Sequence, residues 1–188
     1  MELRRYILHP GRRDELIELF EREFVESQEE LGARIVGTFR DVRDPDRFVW
    51  IRAFPDMAVR LAALKGFYGG PVWKEHGPAA NATMIDSDDV HLLEPEFGEF
   101  VPAPGHERVV VAVAAADGPA LPKLPEPFVQ LRTSAQVNDF PALPVHTRQV
   151  RVRIASVPDS AAVASLTAHW PSGVDVLELE PTPRSQYP

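Results

Sequence analysis

Hydrophobic positions in residues 47–70, RFVWIRAFPDMAVRLAALKGFYGG, predict a strand, a tight corner and a helix. Over Arg47–Phe54 apolar side chains occupy both alternating faces, which is typical of a central strand covered on both sides. Asp56 follows a proline and is placed to cap the helix Met57–Phe67, which a pair of glycines ends. This stretch is the strongest structural signal in the chain.

The flanking residues predict the other elements of the first half. These elements are a strand over residues 2–8, a helix over 12–28, a strand over 33–40, a helix from Pro71 to His76 or slightly beyond, and a short strand over Val90–Leu93. Their order, β-α-β-β-α-β, is that of a ferredoxin-like fold. Asp86, Asp88 and Asp89 fail the calcium-loop pattern, because the required glycine and glutamate are missing, and they are expected to form a solvated turn.

The same strand, Pro-Asp corner and helix recur over residues 150–170, with Asp159 in the place of Asp56. The second copy lacks the helix over 12–28 and the segment around 71–86. We therefore predict an α+β chain of tandem ferredoxin-like repeats, the second of them degenerate, whose two sheets close face to face. The expected bounds are 1–95 for the first repeat, 96–107 for a proline-rich linker and 108–188 for the second repeat.

Composition narrows the classes of function. The net charge is −8 and no basic stripe is present, so no nucleic-acid partner is expected. The absence of cysteine excludes disulfides and thiolate chemistry, and no apolar run is long enough to span a membrane. A cytoplasmic protein is the expectation.

A long motif gives a resemblance to a known family. The run FPDMAVRLAALKGFYGGPVWKEHGPAANATMIDSDDVHLLEP, residues 54–95, closely resembles the NIPSNAP family, and the opening ELRRYILHPGRRDELIELFEREFVESQEELG fits its N-terminal part. The resemblance is dense over residues 2–95 and thin over 107–181. It implies a dimeric α/β-barrel, ferredoxin-like fold and a possible homodimer, but little about function; animal members resemble mitochondrial adaptor-type proteins.

The candidate ligand-binding residues lie in the first half. Trp50 and Arg52 share a strand face, where they could hold a planar or anionic ligand or simply pack and pair with a carboxylate. The segment that the second copy lacks adds Tyr68, Trp73, His76 and Asn81, as a pocket rim or as packing. No histidine lies at i,i+2 or i,i+4 from another, so no metal and no cofactor are predicted, although a site assembled from distant histidines stays open.

These features leave several functions open. The first hypothesis is a module that binds a small molecule or a protein, with no catalytic set identified. The alternative is a small α/β-barrel enzyme of monooxygenase or isomerase type, cofactor-independent or using haem through a histidine such as His76. A pocket beside Trp50 and Arg52, built mainly from the first half, would favour the enzyme.

Overall fold

The computed structural model describes residues 1–188 and contains eight strands and five α-helices. The strands are β1 (Glu2–Leu8), β2 (Arg34–Asp41), β3 (Arg47–Ala53), β4 (Met84–Phe97), β5 (Arg108–Ala115), β6 (Phe128–Thr133), β7 (Val150–Val157) and β8 (Val174–Pro181). The helices are α1 (Arg13–Leu19), α2 (Val25–Glu29), α3 (Met57–Gly69), α4 (Pro71–Asn81) and α5 (Ser160–Thr167). No helix is both long enough and apolar enough to cross a membrane.

The eight strands form one closed barrel within a single chain, in the order β1-β3-β2-β8-β5-β7-β6-β4. All neighbouring strands are antiparallel, and the two halves join where β2 pairs with β8 and where β4 pairs with β6. A cluster of buried aliphatic and aromatic side chains from both halves fills the interior. The closure buries the face that each four-stranded half would otherwise expose.

The prediction for β3 is confirmed: it is a central strand, paired with β1 on one side and β2 on the other. Val49 and Ile51 point into the barrel, whereas Phe48 and Trp50 point outward against the helices. The helices bury the outer face of β3 just as barrel closure buries its inner face, which is why apolar residues occur on both faces of the strand.

The helices lie outside the barrel and begin where the sequence predicts. Asp56 and Asp159 cap α3 and α5 in the same way, each carboxylate accepting a 2.8 Å hydrogen bond from the backbone amide three residues on. The predicted N-terminal helix is interrupted by a π-helical segment, Phe20–Phe24, between α1 and α2. α4 extends to Asn81, beyond the predicted His76.

The predicted end of the first half is wrong in one respect. β4 spans Met84–Phe97, so Asp86, Asp88 and Asp89 lie within a strand rather than in a solvated turn, and the predicted strand Val90–Leu93 is only its middle. The strand continues through polar residues because its backbone pairs with β1 on one edge and with β6 on the other.

Candidate functional site

Three of the sequence-predicted site residues meet in an aromatic cluster between the barrel and the helices. Trp50, Tyr68 and Trp73 line a cavity of about 20 Å³ together with Phe20 and Phe24. The Trp50 ring lies 4.7 Å from that of Phe20, and the Tyr68 and Trp73 rings are also 4.7 Å apart, centroid to centroid. A cavity of this size has room for about one water molecule.

Arg52 lies beside this cluster but is fully buried in a charged network. Its guanidinium donates to Glu2 and to Gln28, each at 2.7 Å, and lies 5.0 Å from the centre of the Trp50 ring. The structure thus places Arg52 in the arrangement of packing and carboxylate pairing that the sequence left open.

Glu2 is the centre of that network. Its carboxylate contacts three buried guanidiniums, those of Arg4, Arg52 and Arg60, at 2.7–2.9 Å. Burial alone would raise the pKa of Glu2, but the three guanidiniums outweigh it and hold the pKa well below its usual range. Glu2 is therefore ionised and compensates for arginines that could not otherwise remain in the core.

The other two predicted residues lie outside the cavity. His76 is half-buried on α4, with Nε2 3.4 Å from a carboxylate oxygen of Glu23, and Asn81 is exposed at the end of the same helix. Haem does not fit here, because the neighbouring cavity of about 20 Å³ is far too small for it.

Ionisable side chains converge instead at one end of the barrel. A cleft of about 480 Å³ opens there, where β1, β4, β5, β7 and β8 expose the last side chains of their inner faces. Its polar lining consists of Arg5, Asp86, Asp88, Asp89, His91, His146, Arg148 and Asp175. We call this cleft the barrel mouth.

Arg5 bridges the barrel mouth. In the register of β1 and β4 it stands opposite Asp89, and its Nε lies 2.9 Å from a carboxylate oxygen of that residue. The same guanidinium donates at 2.5 Å to Asp175 on β8, a strand that is not a neighbour of β1. These two ion pairs fix the positions of both carboxylates.

Asp89, His91 and His146 form a compact cluster in the barrel mouth. Asp89 and His91 lie two residues apart on the inner face of β4, and His146 comes from the loop between β6 and β7. The backbone amide of His146 donates to the Val90 carbonyl at 2.7 Å, which attaches the loop to the strand. His146 Nε2 then lies 2.9 Å from Asp89 Oδ1, and the two imidazole centroids are 4.7 Å apart.

The surroundings fix the charges of the cluster. Burial, followed by the proximity of Arg5 and His146, lowers the pKa of His91 to about 4, so its imidazole is neutral at neutral pH. Burial would raise the pKa of Asp89, but Arg5 and His146 reverse the effect and lower it. The cluster therefore presents an ionised carboxylate beside a neutral imidazole, which suits cation binding or proton transfer.

The sequence did not point to this cluster. His146 is 57 residues from Asp89 along the chain and lies on a loop, so no local spacing connects the two. The one usable signal was the D-x-H pattern of Asp89 and His91, which places both side chains on one face if the segment is a strand. The predicted turn at Asp89 hid that pattern.

Comparison with solved structures shows that the barrel architecture is shared. Two proteins named "putative monooxygenase" superpose along almost the whole chain. The one from Lactobacillus acidophilus NCFM has a TM-score of 0.58 and 12% identity, covering 96% of this chain and 92% of its own. The one from Fusobacterium nucleatum subsp. nucleatum has a TM-score of 0.57 and 9% identity, covering 96% and 90%. At such identities the likeness shows the fold alone.

Family comparison concerns the first half of the chain. A NIPSNAP domain protein from Burkholderia xenovorans is 20% identical, with a TM-score of 0.42, and is matched over 55% of this chain and 93% of its own. No curated protein sequence matches the chain. The NIPSNAP family profile matches residues 1–97, just over half of the 188 residues. The protein therefore belongs to the NIPSNAP family.

Proposed function

We propose that this protein binds a small polar molecule in the barrel mouth. The observation that carries the proposal is that three charged side chains without ion-pair partners, Asp86, Asp88 and Arg148, line one cleft of about 480 Å³. This volume is within the roughly 300–1,000 Å³ usual for small-molecule sites. The aromatic cluster has no comparable space.

The charges indicate what kind of molecule would fit. Arg148 makes no ion pair and offers its guanidinium to a carboxylate or another oxyanion. Asp86 and Asp88 also lack ion-pair partners and would receive an ammonium or another donor. A ligand with both kinds of group, such as a free amino acid or a similar zwitterion, would satisfy both sides of the cleft.

A thermal-shift screen tests this proposal. The full-length protein is heated with a library of free amino acids and other zwitterionic metabolites, in buffer with a chelator, and hits are titrated by calorimetry. We expect a hit to raise the melting temperature of the wild type and to lose most of that effect in Arg148→Ala. Arg148 is exposed, so the substitution should leave the fold intact, whereas replacing the buried Arg52 would disturb the core.

Arg22→Ala is the matched control, because Arg22 is an exposed arginine on the π-helical segment, away from the barrel mouth. It should bind each hit as the wild type does. The proposal fails if the library gives no hit, or if Arg148→Ala and Arg22→Ala bind the hits equally well.

The enzyme alternative finds little support at its predicted position. A substrate beside Trp50 and Tyr68 would need far more space than the cavity of about 20 Å³. The names of the two structural neighbours are the remaining argument for oxidation chemistry, and those proteins share only the fold with this chain.

The proposal also includes the interpretation of the two halves as tandem repeats. It is supported by the equivalent caps of α3 and α5, whose cap residues Asp56 and Asp159 have nearly identical backbone angles. Under this interpretation each half contributes four strands, and the ligand lies at the end of the barrel that both halves build.

A further inference from the structure

We propose that Asp89, His91 and His146 bind a divalent transition-metal ion, with Zn²⁺ as the preferred probe. The inference deepens the proposed function, because it places a cation in the same barrel mouth. It rests on the geometry of three potential ligands from two segments of the chain.

The donor atoms of the three residues lie close together. One ligand atom from each residue lies within 4.8 Å of the other two. His146 Nε2 and Asp89 Oδ1 are 2.9 Å apart, and they need to separate only to ~3.4 Å to lie at the tetrahedral angle around a zinc ion ~2.1 Å from each. The ion would take the place of the hydrogen that joins these two atoms, and the neutral imidazole would carry its proton on Nδ1 instead.

His91 completes the set after a small movement. Two ligands ~2.1 Å from one ion cannot be more than ~4.2 Å apart, so the cluster must contract slightly around the ion. His146 can make that movement, because it is exposed and lies on a loop, whereas His91 and Asp89 are held by the barrel.

A second, independent observation is an unsatisfied nitrogen. His91 is 5% exposed and lines the barrel mouth, yet its Nδ1 is buried without a hydrogen-bond partner. Buried polar atoms are almost always paired, and a bound water or ion is one explanation of an exception. A ligand in the cleft would account for this nitrogen.

The charge around the cluster also favours a cation. Four aspartates and two arginines line the barrel mouth, so its formal charge is −2 when the histidines are neutral. Arg5 contacts Asp89 but leaves it room to coordinate, since a carboxylate has about four lone-pair positions. Arg5 would then act as a positioning residue that orients a metal ligand.

Two imidazoles and one carboxylate favour a transition metal over the harder Mg²⁺, which prefers oxygen ligands. Three protein ligands leave coordination positions open toward the cleft, as in metal sites that bind a small molecule. An anionic group held by Arg148 could occupy one of these positions. The same cleft would then bind both the ion and the ligand of the proposed function.

Calorimetry on the metal-free, full-length protein tests the inference. The protein is purified with a tag that contains no histidine, dialysed against a chelator, and titrated with ZnCl₂ and separately with MgCl₂. We expect a single zinc ion per chain with micromolar or tighter affinity, and no comparable binding of Mg²⁺.

His146→Ala and Asp89→Asn should each weaken zinc binding by at least about tenfold. His169→Ala, which replaces an exposed histidine outside the barrel mouth, should bind zinc as the wild type does. Circular dichroism and metal-free melting temperatures establish that each variant is folded. If a variant fails to fold, the conservative His146→Gln replaces it.

The inference is overturned if the wild type binds no zinc, or if folded His146→Ala binds zinc as tightly as His169→Ala. No organic ligand is present in this titration. Its result is therefore independent of the metabolite screen, which is run in chelator and can fail or succeed by itself.

Discussion

Replacing Glu2 by glutamine should cost this protein a large part of its stability. The carboxylate is fully buried and contacts Arg4, Arg52 and Arg60, so Glu2→Gln keeps the shape of the side chain but removes the charge that compensates for three guanidiniums. Removing one partner of a buried ion pair costs about 3–5 kcal/mol, and here one partner serves three. We expect a loss of at least about 4 kcal/mol, against a typical total of about 5–15 kcal/mol.

Urea unfolding followed by tryptophan fluorescence at pH 7 measures this loss, because Trp50 lies 5.0 Å from the Arg52 guanidinium. The control is Glu15→Gln, which breaks a solvent-exposed ion pair with Arg12 and should leave the free energy of unfolding almost unchanged. If both variants lose equally little, Glu2 does not hold the network together and our account of the core is wrong.

The effect of Glu2→Gln should also depend on pH. The pKa of Glu2 is lower in the folded protein than its ordinary value of 4.5, so the folded state favours the ionised form. The resulting stabilisation is complete above that value and is lost as the pH falls through the lower, folded-state pKa. The difference in unfolding free energy between wild type and variant should therefore be largest near neutral pH and shrink below about pH 4.

Two further predictions concern the helices. Gly77→Ala should destabilise the protein by about 1–3 kcal/mol in urea unfolding, because the added methyl group would lie 2.7 Å from the Trp73 indole. Gly69→Ala is the control and should be close to neutral, because no atom lies within 4 Å of its added methyl group. If both variants have the same stability, the Trp73 indole can move aside without cost and the prediction is wrong. Asp56→Ala and Asp159→Ala should each lower the free energy of unfolding by about 1 kcal/mol, because each removes an equivalent capping hydrogen bond. Thermal or urea unfolding measures the change, and a loss of stability in only one of the two variants would contradict the equivalence.

The sequence predicted those parts of the fold that depend on neighbouring residues. β3, the corner at Asp56 and α3 follow one another directly, and each has its own signal: alternation, a capping carboxylate and terminal glycines. The corresponding strand and corner in the second half were found for the same reason. Local signals were sufficient because each element carries its own start and stop.

The extent of β4 could not be predicted in this way. Residues Met84 to Asp89 are mostly polar, and this composition predicts a turn. They form a strand because β1, from a distant part of the sequence, supplies their backbone hydrogen-bond partners. The π-helical segment Phe20–Phe24 likewise has no clear sequence pattern. For β4, pairing with a distant strand rather than local preference decides the structure.

The candidate site likewise has one part that the sequence predicted and one part that only the fold reveals. Trp50, Tyr68 and Trp73 were predicted together and do meet, but the sequence could not show that packing leaves only about 20 Å³ between them. Conversely, His146 reaches Asp89 only because barrel closure brings the loop before β7 against β4. A site assembled from distant histidines was left open by the sequence, and the fold supplies the geometry that such a site requires.

The central proposal is that Asp89, His91 and His146 in the barrel mouth bind a divalent transition-metal ion. Anomalous diffraction at the zinc absorption edge, from crystals of the metal-free protein soaked in Zn²⁺, tests it most directly. The account predicts one strong anomalous peak within coordination distance of Asp89, His91 and His146. Crystals that show no peak there, or a peak only at His76 or at other surface residues, would contradict the claim.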